Sequence, residues 1–90
     1  IRSADPSLDL AIIAAIISSL KDSPLPQNSV YIGEVGLNGE VRPVSQLEAR
    51  ISEAAKLGYT NIFVSGFARL KTNTKVHKVK DIKALFAAIT

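Results

Sequence analysis

The run Gly33-Glu34-Val35-Gly36-Leu37-Asn38-Gly39-Glu40-Val41-Arg42-Pro43-Val44 decides how the rest of the chain folds. Asn38-Gly39 at its centre supplies the two positive φ values of a type I′ turn. That turn pairs Val35–Leu37 with Glu40–Arg42 as a hairpin, and Pro43 closes the second strand. A strand over Ser29–Val35 leads into it, with Val30 and Ile32 on one face.

Upstream, Asp5-Pro6-Ser7 predicts a helix start: an N-cap acceptor, then a proline where its missing N–H costs nothing. From Leu10 to Leu20 only Ser18 and Ser19 are not apolar, which predicts a helix buried around most of its circumference. Pro24 and Pro26 prevent its continuation. Downstream, Leu47, Ile51, Ala54 and Ala55 fall at helical spacing in a helix from about Ser45 to Leu57, with Gly58 as its C-terminal signal. Arg50 borders the buried stripe of that helix. Ile62–Val64 is a short buried strand, residues 66–74 a lysine-bearing loop, and Lys75–Val79 a strand that Lys78 and Lys80 mark as a sheet edge. Asp81 caps a last helix whose apolar stripe is Ile82, Leu85, Phe86 and Ile89. The order is helix, hairpin, helix, strand, strand, helix: an α+β fold with a small sheet covered by helices, in a single domain over residues 1–90.

Composition narrows the chemistry. Of the 90 residues, 47% are hydrophobic and 21% charged, as in an ordinary globular domain. The absence of cysteine excludes disulfides, thiol nucleophiles and thiolate zinc sites. His77 is the single histidine, which excludes histidine-rich metal sites. The longest apolar stretch, Leu10–Ile17, is far short of the roughly 20 residues that cross a bilayer, so no membrane role is expected. It has no basic leader before it and no small-residue cleavage site after it, unlike a signal peptide. Ile1 at the start and the lack of any methionine point to a piece of a longer chain.

The net charge of +3 is unevenly placed. Residues 1–70 balance to −1, whereas residues 71–90 carry five lysines against Asp81 alone. A basic segment of that kind permits contact with a polyanion. Arg2, Lys21, Lys71, Lys75, Lys78 and Lys80 are the candidate nucleic-acid contacts, and the strand lysines also protect a sheet edge. The aromatic residues do not interleave with the basic ones along the chain, so base stacking is not expected. The five glycines form no phosphate-binding loop. Ser7, in the first turn of the buried helix, is placed where backbone N–H groups could hold an oxyanion. On sequence alone the favoured reading is that Ser7 and Asp9 only stabilise the helix start.

The hairpin run, together with Ser7-Leu8-Asp9-Leu10-Ala11, Ser18-Ser19-Leu20, Pro24, Pro26 and Glu48–Gly58, resembles the C-terminal Lon-protease-like domain of the RadA (Sms) family of bacterial DNA-repair ATPases. The resemblance is dense over residues 5–58 and thins after Asn61; the loop at 66–74 follows no familiar pattern. It implies a ribosomal S5 domain 2-like (Lon protease-like) fold, here lacking its N-terminal strands. In the related Lon proteases a Pro-Ser-Ala-Gly motif carries the nucleophile, and a lysine on the helix after the hairpin activates it. By position these fall on Ser7 and Arg50, with Leu8 and Asp9 replacing the small residue and glycine. A guanidinium stays protonated above pH 12 and cannot accept the serine proton. Lys56, about 240° further round the helix, is no substitute.

The resemblance therefore implies a protease-like fold without protease activity: no catalytic residue, Ser7 and Arg50 being degenerate dyad positions, and no cofactor or metal in this segment. For the parent protein it implies ATP, Mg and Zn, an ATPase or helicase activity in DNA repair and recombination, single-stranded or branched DNA as partner, a homohexameric ring, and a bacterial cytoplasmic location. The segment itself would support ring assembly and non-specific DNA contact. Two alternatives stay open: a Lon-type serine peptidase domain, and a structural S5-like module of another machine.

Overall fold

The computed structural model describes residues 5–90. A short 3₁₀ turn, Pro6–Leu8, runs into helix α1, Asp9–Lys21. Strands β1 (Ser29–Ile32), β2 (Glu34–Val35) and β3 (Val41–Arg42) follow, then α2 (Leu47–Lys56), β4 (Asn61–Ser65), β5 (His77–Val79) and α3 (Ile82–Ile89). The fold is α+β, with a small parallel sheet and helices.

The main sheet has the order β1-β4-β5 and is wholly parallel, with Tyr31 opposite Phe63 and Phe63 opposite His77. Successive side chains of a strand point to opposite faces, and this splits the core in two. Tyr31, Phe63 and Val79 pack against Leu10, Ala14 and Ile17 of α1 and Leu85 of α3. Ile32, Ile62 and Val64 pack against Leu47, Ile51 and Ala54 of α2. Val30 joins the same side as Ile32, as the alternation predicts. β5 occupies the sheet edge expected for it.

α2 ends in a Schellman motif. Gly58, at φ +98°, lets its own amide reach Ala55 O at 3.1 Å and Tyr59's amide reach Ala54 O at 3.1 Å. At the start of α3 the Asp81 carboxylate accepts from the Ala84 amide at 2.7 Å, the expected N-cap.

Several expectations change. The strand predicted over Ser29–Val35 breaks at Gly33: β1 belongs to the parallel sheet, and β2 pairs only with β3, Glu34 opposite Arg42. A side chain at position 33 would put its Cβ 3.0 Å from Val41 Cγ1 and 3.1 Å from Leu10 Cδ2, so the chain bends where backbone can pass closest to both. The turn is not type I′. Only Gly39 has positive φ, at +80°; Asn38 does not. Gly39 donates to Gly36 O at 3.0 Å and Gly36 to Glu40 O at 2.9 Å, a three-residue loop of type I turn plus left-handed glycine.

α1 is not buried around most of its circumference: Ile16 is 41% and Leu20 80% exposed, because the described layers cover one side of it. Phe86, expected in the core stripe of α3, is 41% exposed, and Lys21 Nζ lies 5.4 Å from its ring centroid. α2 begins at Leu47 rather than Ser45, since Gln46 takes a left-handed φ of 56°. β5 begins two residues later than predicted.

Candidate functional site

Ser7 is placed by backbone commitments on both sides. Asp5 is the N-cap of the 3₁₀ turn, and one of its oxygens, Oδ1, accepts both the Ser7 amide at 3.0 Å and the Ser7 hydroxyl at 2.7 Å. Behind the turn, the Gly33 amide donates to Ser7 O at 3.4 Å and the Leu10 amide donates to Gly33 O at 3.1 Å. The Val35 amide donates to Asp9 Oδ2 at 3.3 Å. The close approach that forbids a side chain at position 33 is thus what stitches the start of α1 to the β1–β2 bend. Ser7 ends up 7% exposed.

From the opposite side, Arg50 of α2 reaches across 43 residues of sequence and donates Nη1–H to Ser7 Oγ at 2.8 Å. A serine hydroxyl has one proton to donate and two lone pairs. Here the proton goes to Asp5 and one lone pair to the guanidinium. The hydrogen bonds from the Ser7 hydroxyl, then from its amide, hold the Asp5 carboxyl below its ordinary range; desolvation opposes them and the Arg50 charge adds to them. Asp5 is therefore a carboxylate at neutral pH, and a weak base. Among the described residues no lysine bonds the Ser7 hydroxyl.

The amides of residues 7–10, which would have to face a substrate, are all engaged: Ser7 with Asp5 Oδ1, Leu8 with Asp5 O, Asp9 with Pro6 O and Leu10 with Gly33 O. The helix start is closed by its own chain.

The basic candidates do not form one cluster. Arg2 lies outside the described residues. Lys21 sits with α3, over Phe86. Lys78 and Lys80 alternate with buried Val79 and so occupy the other face of the sheet. There Lys78 Nζ donates to Ala68 O at 3.1 Å, and Lys80 Nζ is 5.8 Å from the Phe67 ring centroid. Lys71 and Lys75 stand exposed on the loop before β5. Two cation–aromatic pairs thus exist where the linear spacing suggested none, because 65 residues separate one pair and 13 the other. Asp5 is readable from the sequence as a cap, but its bond to the Ser7 hydroxyl is not. Among the described residues no group of histidine and carboxylates could hold a metal ion, and no helix is long and apolar enough to cross a membrane.

Comparison with known proteins adds two findings. A family model described as subunit ChlI of Mg-chelatase matches residues 1–67. Curated relatives named DNA repair protein RadA include that of Escherichia coli strain K12, 52% identical over 100% of this chain and 20% of the relative. That of Rickettsia conorii is 40% identical over 94% of this chain and 20% of the relative, and that of Streptococcus pneumoniae 52% identical over 67% and 14%. The chain spans about a fifth of the length of the first of these relatives.

Proposed function

Because the chain belongs to the ChlI family as a RadA-like member, we propose that it is a non-catalytic Lon-like module of a DNA-repair ATPase. In this reading the fold is the S5-like one of the Lon domain. ATP, Mg and Zn, with the ATPase chemistry and recombination, belong to other segments of the parent protein. The module holds a homohexameric ring together and touches single-stranded or branched DNA without reading its sequence.

One observation carries the reading: Ser7, at the nucleophile position, is tied between a carboxylate and a permanent cation. Nucleophilic catalysis by serine needs a group that accepts the hydroxyl proton, and donors that receive the oxyanion. Arg50 cannot accept, Asp5 is held in its weakly basic form, and the nearby amides are taken. What the same atoms do well is join the start of α1 to α2. The exposed apolar residues of α1, Ile16 and Leu20, supply surface for association. Lys71 and Lys75 supply exposed charge for phosphate.

The test is a serine-reactive fluorophosphonate with casein as a parallel substrate, on the parent-length protein. Neither Ser7 labelling nor cleavage is expected, and Ser7→Ala should change nothing. Label on Ser7, or cleavage lost on Ser7→Ala, would establish the peptidase alternative instead.

A further inference from the structure

The described surface holds an apolar knob and, at a separate place, a groove of mixed apolar and polar lining. Leu37 is fully exposed at the tip of the β2–β3 hairpin. That tip is pinned: beyond the two turn bonds, the Asn38 amide donates to Glu40 Oε1 at 3.1 Å, and Arg42 Nη2 donates to Glu40 Oε2 at 2.8 Å. A turn already rigid loses little freedom when it docks. The groove, about 730 Å³, opens between the start of α2 and residues 67–70, and its apolar walls are Pro43, Val44, Leu47, Phe67, Ala68 and Leu70.

Charge distinguishes the two rims. Around the hairpin stand Glu34 on β2, Glu40 paired with Arg42, Asp9 bonded to Val35 and Asp81 next to Glu40 in a backbone bridge, against Arg42 and Lys80, whose carbonyl accepts from the Val41 amide. Around the groove stand Arg69 in its wall, Lys78 on Ala68 and Lys80 over Phe67, against Glu48. The hairpin side carries more carboxylates than cations, and the groove side more cations than carboxylates. The groove begins at Pro43, at the base of the same hairpin, so a tip pinned in this way cannot bend back into it.

We propose that the Leu37 tip of one copy docks in the Pro43–Leu70 groove of a second copy, head to tail. This rests on the ring-assembly reading above and adds to the α1 surface a second, specific contact. A heterologous contact of this kind repeats, closing a ring when the rotation permits. One tip in one groove is smaller than the roughly 1,200 Å² of a stable pair, so a single contact is weak and gains its strength on closure.

Sedimentation velocity on the parent-length protein tests it, with two variants at exposed positions that leave the core alone. Leu37→Asp removes the knob, and Ala49→Glu places an acid in the groove wall. Each should raise the concentration needed for self-association by about tenfold or more. Mixed, they should give a heterodimer and nothing larger, since only one good tip and one good groove remain. If the wild type assembles and Leu37→Asp assembles equally well, the ring reading stands and this contact is wrong. If both variants fail alone and also fail together, head-to-tail docking is wrong. If Ala49→Glu leaves assembly intact but weakens DNA binding, the groove's occupant is nucleic acid and the proposal fails. A wild type that stays monomeric at its highest soluble concentration overturns both readings.

Discussion

The Asp5–Ser7–Arg50 chain has a consequence that can be measured without any substrate. Asp5 is depressed in the folded state by the Ser7 hydroxyl first, so the unfolded chain takes up a proton at a higher pH than the folded one does. Its contribution to stability is present above the unfolded carboxylate value, about pH 4, and is lost as the pH falls through the lower folded value. Asp5→Asn should make the acid limb of urea midpoint against pH shallower below about pH 4 and leave its shape above pH 6 unchanged. Part of the limb should persist, because the Arg42 guanidinium depresses Glu40 in the same direction. Tyr31 runs the opposite way. Burial raises its phenol; Ser29 tempers the shift, yet among the described residues no partner satisfies the buried Tyr31 hydroxyl in hydrogen-bond geometry. Stability tied to it is present below about pH 10 and is lost as pH rises through the folded value. Tyr31→Phe should therefore be neutral, or stabilising by up to about 1 kcal/mol in urea unfolding at pH 7, and should blunt the alkaline loss. At this scale sequence reading reaches the candidate pair Ser7 and Arg50 only through resemblance. Nothing in spacing places a side chain of α2 on a turn 43 residues away, and Asp5 reads only as a cap.

Elements whose pattern is local are the ones periodicity finds. α2, α3 and β4 each carry their own stripe or apolar run and end within a residue or two of where that pattern stops. What periodicity misses depends on a neighbour. The run from Ser29 to Val35 reads as one strand, because a glycine inside a strand pattern looks like any small residue. Leu10 and Val41, distant in sequence, force the bend by closing on Gly33 from both sides. The same holds for the turn: Asn-Gly suits a two-residue loop, but the Gly36–Glu40 bond lengthens it to three. α1 reads as buried all round because its composition is uniform, while the described layers reach one face of it. The Gly33 argument gives a direct test. Gly33→Ala drives a methyl toward two fully buried side chains that have nowhere to go. It should cost about 1–3 kcal/mol in urea unfolding. Gly58→Ala meets no atom within 4 Å and should cost only the left-handed backbone, about 1 kcal/mol, so the two separate crowding from conformation.

Across the whole molecule, Lys21 and the lysines of the 71–80 tail divide among three settings. Lys21 rests on α3; Lys78 and Lys80 are held at the groove; Lys71 and Lys75 stand exposed on the loop. If the groove takes a second copy, its rim lysines face protein, and the exposed loop pair is left to meet phosphate. Counterion release turns that division into slopes, since every phosphate the protein no longer neutralises lowers the dependence of log K on log salt by about 0.9 on duplex and 0.7 on single strands. Replacing Lys71 and Lys75 together with glutamine in the parent-length protein should reduce the duplex slope by about 1.8 in filter binding. Lys21→Gln should leave the slope where it was, because its amine faces an aromatic ring on the other side of the sheet. Lys78→Gln with Lys80→Gln should weaken assembly more than it changes the slope. Equal reductions in slope from all three sets would mean that the charges act as one diffuse field, and that the fold's separation of them does not matter to DNA.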